Sequence, residues 1–296
     1  VMGKKMAIAR TLACLLAASF LAGSPANAAD TPLKPYLMAE ESSSTFAEKL
    51  GSVKQALTAA GFEIAGEYLV REDATVLVVT GDALKKAAAA TDRGGFGAAV
   101  RVSLTGVAGK VQIAYTNPAW MANAYRMGGE LADVAAALGT ALGAGVPFGS
   151  KDGLTAEQLR SYHYMMMMPY FTDQEVLATH ASHAEALEKV EKGLALSKQV
   201  RRISRIDIPG KEQSLFSVAI LEGPGSDATV MKATDTAPQR HTAHLPYEFL
   251  VSGGKVVMLH GKFRIAQSFP DLTMGTFMKI SGAPAAIEDA IKSAVR

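Results

Sequence analysis

The chain has 296 residues, 49% of them hydrophobic and 20% charged, with 30 basic and 28 acidic side chains for a formal net charge of +2. That length suits one large domain or two ordinary ones with a real apolar core. A charge this close to balance excludes a polybasic footprint for nucleic acid or an anionic membrane.

At the N-terminus Lys4, Lys5 and Arg10 flank the start of the short apolar run "TLACLLAASFLAG", and "ANA" at Ala26–Ala28 follows. This order of basic, apolar and small-x-small residues predicts a cleaved export signal over 1–28, a mature start at Ala29 or Asp30, and a periplasmic or secreted protein. The apolar run is too short, and too soon followed by Pro25, for a membrane span. Cys14, the only cysteine, lies in this segment. The mature chain is therefore expected to hold no disulfide and no thiol nucleophile.

Residues 29–44 are polar, contain proline and end in "ESSS", which reads as a linker. "STFAEKLGSVKQALTAAGF" then places Phe46, Leu50, Val53 and Leu57 at helical spacing, with Ser44 or Thr45 as cap and Gly61 as stop. "FEIAGEYLVRE" and "TVLVVTG" are predicted strands, "DALKKAAAATD" a helix, and "AAVRVSLTGVAGKVQIAYTNP" a hairpin followed by the short helix "AWMANAYRM". The second half runs in the same order. The helix is "HAEALEKVEKGLALSKQ", the strands are "VRRISRIDIP" and "SLFSVAIL", and a glycine-rich turn leads into a short helix. The hairpin "LPYEFLVSGGKVVMLHGKFRIAQSFP" and a closing helix "DLTMGTFMKI" end it. Lys110 aligns with Lys255, and Pro118 falls near Pro270.

The expected fold is α+β: two α-β-β-α-β-β repeats, at 45–128 and 183–296, forming a pseudo-twofold sheet and helix sandwich like a fused dimer. Between them, 129–182 is a helical, Met-rich insert. Its "GELADVAAALGTALGAGVPFG" suggests a loose helix or lid, and "LTAEQLRSYHYMMMM" starts on the capping box Thr155/Gln158. A second box, Thr172/Glu175, predicts a helix running on through the second repeat, so "MMMM" becomes the last turn of a helix ended by Pro169.

The stretches "ALTAAGF", "TVLVVTG" and "GKVQIAYTNPAWMANAY" resemble the bacterial domain-of-unknown-function family 302. The hairpin matches best, through Gly109, Lys110, Val111, Tyr115, Asn117 and Pro118; "ILEGPGSDATVM" and "HLPYEFLV" are similar to its turn and Leu-Pro strand. The second half departs where "FRIAQSFP" replaces the family's Tyr-Asn-Asp-Pro ending. The resemblance implies two divergent copies and an α+β sandwich, and no activity.

No nucleophile elbow, Walker loop, H-E-x-x-H or dinucleotide fingerprint occurs. Trp120 and Tyr125 beside Met121 suggest either ordinary core or a pocket wall for a small apolar or amphipathic ligand, with Met166 and Met167 of the insert. Glu248, His260 and Arg264, read as one sheet surface, suggest a site for an acidic small molecule, a weak enzyme site, or a solvated charge ladder. His180 and His183, read on one helical face, pack in a seam, respond to pH, or with His163 and a methionine hold Cu(I) or haem. His241 and His244 before a strand read as a polar loop. The leading expectation is an exported, non-catalytic binding or accessory protein for a small molecule, without nucleic acid or a membrane span; the insert offers a surface for a homodimer or a partner protein.

Overall fold

A computed structural model describes residues 31–296; the segment expected to be an export signal, 1–28, lies outside the described residues. The chain is α+β, built on two antiparallel sheets. In the first half β1 (Tyr36–Ser42), α1 (Phe46–Ala59), β2 (Glu63–Arg71), β3 (Ala74–Thr80), α2 (Asp82–Ala89), β4 (Val100–Val107), β5 (Lys110–Thr116) and α3 (Pro118–Ala124) follow in order. α4 (Ala132–Leu142), β6 (Val146–Phe148) and α5 (Ala156–Arg160) connect to the second half. That half contains β7 (Gln174–Thr179), α6 (His183–Leu196), β8 (Val200–Asp207), β9 (Gln213–Ile220), α7 (Asp227–Thr234), β10 (Tyr247–Ser252), β11 (Lys255–Leu259) and α8 (Gly261–Ser268), and α9 (Met274–Lys279) and α10 (Ala283–Val295) close the chain.

The sheets run β2-β3-β4-β5-β1-β6 and β8-β9-β10-β11-β7. The repeat unit is therefore one strand longer than the sequence suggests. β1, inside the expected linker, and β7, inside the expected helix, each precede the first helix of a half and add beside its last strand. The Thr172/Glu175 box starts no helix. Gln174–Thr179 instead pairs with β11, and only Leu177 of it is buried, so its sequence carries little alternation.

The ladders of the two halves share a register and two bulges, while a further slip of β2 between Leu69 and Arg71 has no counterpart in β8. The β2–β3 ladder slips between Ile64 and Gly66, and the β8–β9 ladder between Arg202 and Ser204. β1 slips between Met38 and Glu40, and β7 between Val176 and Ala178. Carried across the ladders, this register makes Arg101 of β4 the counterpart of Glu248 of β10, and Asn117 the counterpart of His260. Both of the latter cap helices: Asn117 Oδ1 accepts from Ala119 N, and His260 Nδ1 accepts from Lys262 N. Pro118 thus corresponds to Gly261 and not to Pro270, and "GKFRIAQS" is helix α8 rather than a strand. Lys110 and Lys255 both follow the hairpin turn, but the first hairpin is two residues longer per arm.

Equivalent elements meet where a twofold axis would run. A Cβ on Gly66 would lie 2.5 Å from Ile203 O and 2.9 Å from Cβ of Ser204, its own counterpart. The 3₁₀ turn Gly94–Gly97 packs on β9 and β10, and the turn Thr242–His244 packs reciprocally on β3, β4 and β5. α1 and α4 cover the outer face of the first sheet, α6 and α10 that of the second. The central strands β3, β4 and β10 are consequently buried on both faces apart from their ends. No helix among the described residues is long and apolar enough to cross a membrane.

Candidate functional site: an open cleft on an aromatic floor

The second-sheet turn and the inter-repeat connection together form a cleft of about 540 Å³. That is the size of an ordinary small-molecule site. Its walls come from three stretches far apart in sequence: Phe148–Ser150 after β6, Thr234–His241 after α7, and Phe269–Thr276 between α8 and α9. Each is held by its own local device. β6 pairs with β1, so Phe148 lies opposite Tyr36. Gly149, at φ +94°, turns the chain where a Cβ would lie 2.8 Å from the Tyr36 ring. Only glycine meets both demands. Thr273 caps α9 by accepting from Thr276 N at 3.2 Å.

His241 forms the floor. Its ring stacks on Phe269 (4.9 Å, 16°), meets Phe148 edge-on (5.7 Å, 71°) and lies 5.0 Å from Tyr36. Its backbone N–H donates to Asp235 Oδ1 at 2.8 Å. Nδ1 lies 3.2 Å from Ser268 O, a group that only accepts, so the ring proton sits on Nδ1 and Nε2 keeps its lone pair. Burial in this cage pulls the pKa down to about 4, so the imidazole is neutral near pH 7. Around it the cleft presents hydroxyls from Ser150, Thr236, Thr273 and Thr276. On the rim, Asp271 accepts from Lys151 N at 2.6 Å and from the Ser150 hydroxyl at 3.3 Å. A second open space of about 420 Å³ begins across that Ser150–Asp271 bridge and is lined by His163 and Tyr164.

Behind the floor lies a buried charge network. The Arg101 guanidinium donates to both oxygens of Glu248 at 2.7 and 2.8 Å and, through Nε, to Ala243 O at 2.9 Å. Arg264 donates to Ser268 Oγ at 2.6 Å, to His244 O, and to His244 Nδ1 at 3.1 Å. With Nδ1 accepting, His244 carries its proton on Nε2, which faces the Tyr247 hydroxyl at 3.1 Å. Burial, and then the two guanidiniums, hold the pKa of His244 well below the ordinary range.

The residues singled out from sequence scatter over this frame. Trp120 and Tyr125 are buried core, with Trp120 Nε1 donating to Gln267 Oε1 and Tyr125 stacked on Phe171. Glu248 and Arg264 are buried together between the sheets and not on a sheet surface. His260 stands apart from them at the start of α8, 3.6 Å from Glu175. No Glu/His/Arg surface group forms, because the strand register assumed for 260–264 is helix.

The helical histidine pair does not form either. α6 begins at His183, so His180 precedes the cap Ser182 and its backbone N–H donates to Gly254 O. His183 Nε2 lies 3.4 Å from Ser214 Oγ. His163 stacks on Tyr170 at 4.5 Å, before β7, while His180 follows β7's last residue. Six strand residues at about 3.3 Å each keep these ends apart. Among the described residues no three His, Cys, Asp or Glu side chains gather as a metal site.

The Met run is a turn and not the end of a helix. α5 stops at Arg160, Met168 N donates to Met165 O, and Met167 sits at φ +68° with 94% of its surface exposed. Met166 is nearly as exposed, and only Met168 turns inward toward α8 and Phe277.

His241, expected from the sequence in a polar loop, is the residue the cleft is built around. Its cage partners lie at positions 36, 148 and 269, so no local spacing announces it.

No family model, no curated protein and no solved structure matches this chain.

Proposed function

We propose that the protein is an exported, non-catalytic binding protein for one small amphipathic molecule, held in the cleft over His241. The cleft itself carries this reading: an aromatic floor of Phe148, His241 and Phe269 beneath a ring of hydroxyls. A flat apolar part of the ligand would lie on the floor. A donor on the ligand would meet His241 Nε2, whose lone pair is available because Nδ1 holds the proton. His241 serves as an acceptor here and not as a base, since no hydroxyl of a described residue is hydrogen-bonded to Nε2. The shared αββαββ order of the two halves supports reading them as divergent copies of one module, and with it the resemblance to family 302.

A thermal-shift panel of flat amphipathic compounds, read on wild type and on Phe269→Ala, tests the proposal. At least one compound raises the midpoint of the wild type, and Phe269→Ala loses most of that rise. A panel that moves neither protein, or both equally, rejects it.

A further inference from the structure

Behind Tyr36, whose ring lies 5.0 Å from the His241 ring, is a cavity of about 10 Å³, room for one water-sized guest. All its lining residues are buried. Tyr36, Arg101, Tyr125, Gln267 and Ser268 are the residues of its lining that this site would use.

Three observations concern charge and donors here. First, Arg101 and Arg264 are both buried, and Glu248 is the one carboxylate between them, 2.7 Å from Arg101 and 3.8 Å from Arg264 Nε. The nearby Asp235 carboxylate lies in the field of two further guanidiniums, Arg240 and Arg71, and so adds no surplus negative charge. The pocket behind the sheets thus holds one positive charge in excess, and a buried charge without a counter-ion is costly. Second, the Tyr36 hydroxyl is buried with no hydrogen-bond partner among the described residues. The neighbouring Ser268 hydroxyl cannot serve it, being bound to Arg264 O, Arg264 Nη1 and Gln267 Nε2. Third, Arg101 uses Nε and Nη1 on Ala243 and Glu248, leaving Nη2 as its remaining donor, and Tyr36 and Tyr125 line the same cavity as Arg101.

We propose that this cavity is a binding site for a single small monovalent anion of the halide class. The Tyr36 and Tyr125 hydroxyls and the Arg101 guanidinium would donate to it, and it would neutralise the surplus charge between the two halves. The site is independent of the cleft ligand and would fasten the inter-repeat interface.

The test is the melting temperature of the full chain at constant ionic strength, in sodium chloride against sodium gluconate, whose anion is too large for the cavity. At ten times the dissociation constant, chloride is expected to raise the wild-type midpoint by about 3 °C over gluconate. Because Arg101 variants risk unfolding, the discriminating variants are Tyr36→Phe and Tyr125→Phe, which keep both rings. Combined, they are expected to abolish the chloride increment. The proposal is overturned if chloride and gluconate give equal midpoints in the wild type, or if the double variant keeps the full increment. It is overturned equally if Tyr36→Phe stabilises the protein by the same amount in both salts, the signature of a merely unpaired hydroxyl. Bromide-soaked crystals add a direct reading: an anomalous peak in the cavity supports the site, and an empty cavity in a crystal otherwise holding bromide rejects it.

Discussion

His241 shows how far burial alone reshapes a side chain. Three aromatic rings shield much of its imidazole from water, and the folded pKa falls from the ordinary 6.5 to about 4. The sign of the consequence follows. Between pH 6.5 and 4 the unfolded chain binds a proton that the native state refuses, so this residue's contribution to stability is full above pH 6.5 and lost as pH falls toward 4. The loss amounts to about 3 kcal/mol at most, from roughly 1.36 kcal/mol per pKa unit. Denaturant unfolding of the wild type and His241→Phe across pH 7 to 4 checks this: the variant's stability should fall less over that window. Met167 gives an opposite lesson. A non-glycine residue at φ +68° with its side chain almost wholly in water holds strain and little packing. Met167→Gly is expected to leave stability unchanged or raise it by up to about 1 kcal/mol in urea melts. A loss of 2 kcal/mol would mean that the methionine packs on something after all.

The legibility of individual elements depends on how many faces they bury. Helices with one wet face announced themselves: α1 and α5 start on the Thr45 and Thr155 capping boxes. α8 did not, because Phe263 through Ser268 are all buried and no polar stripe marks a helical period. Val257, Leu259 and Phe263, read as one strand face opposite Met258, His260 and Lys262, then carry the expected strand too far. β1 and β7 hid for the converse reason: they lie toward the outer side of each sheet and bury few residues, so a polar, proline-flanked stretch and a false capping box were easy to misread. The pairing of the two bulges carries its own prediction. Gly66 meets Ile203 and Ser204 backbone and side chain where the halves touch, so Gly66→Ala forces them apart. Overpacking there should cost about 1–3 kcal/mol, while Gly51→Ala, with open space around it, should not destabilise. Equal losses for both in chemical denaturation would dismiss the contact as an organising point.

Taken whole, the molecule joins two halves of like strand order, each built on its own antiparallel sheet. Arg101 and Glu248 occupy the same place in the two halves and pair across the interface, an arrangement a true homodimer of identical chains could not make. Removing one partner strands a buried charge. Glu248→Gln should cost about 3–5 kcal/mol, and the double change Arg101→Met/Glu248→Met well under the sum of the two single losses. A double-mutant cycle in guanidinium with additive losses would show that the pair is not coupled. Most of the element order in each half was legible in the sequence because helix and strand periods show in the apolar spacing. The cleft was not, because its floor assembles from separate stretches around positions 36, 148, 241 and 269, and none of Tyr36, Phe148, His241 and Phe269 stands in any local pattern. The methionines and the tryptophan drew attention by rarity, and the fold uses them as a turn and as core.

The six histidines provide built-in probes that separate these regions: His241 on the cleft floor, His163 across the Ser150–Asp271 bridge, His180 and His183 at the far end of β7, His244 in the buried network and His260 at the α8 cap. The most direct measurement is a histidine-resolved NMR titration with a compound that raises the melting midpoint. Binding in the cleft predicts that the His241 ring resonances move first and furthest, while His180 and His183 stay put. A saturating ligand that leaves His241 unmoved, or shifts His180 and His183 instead, would contradict the assignment of the cleft as the binding site.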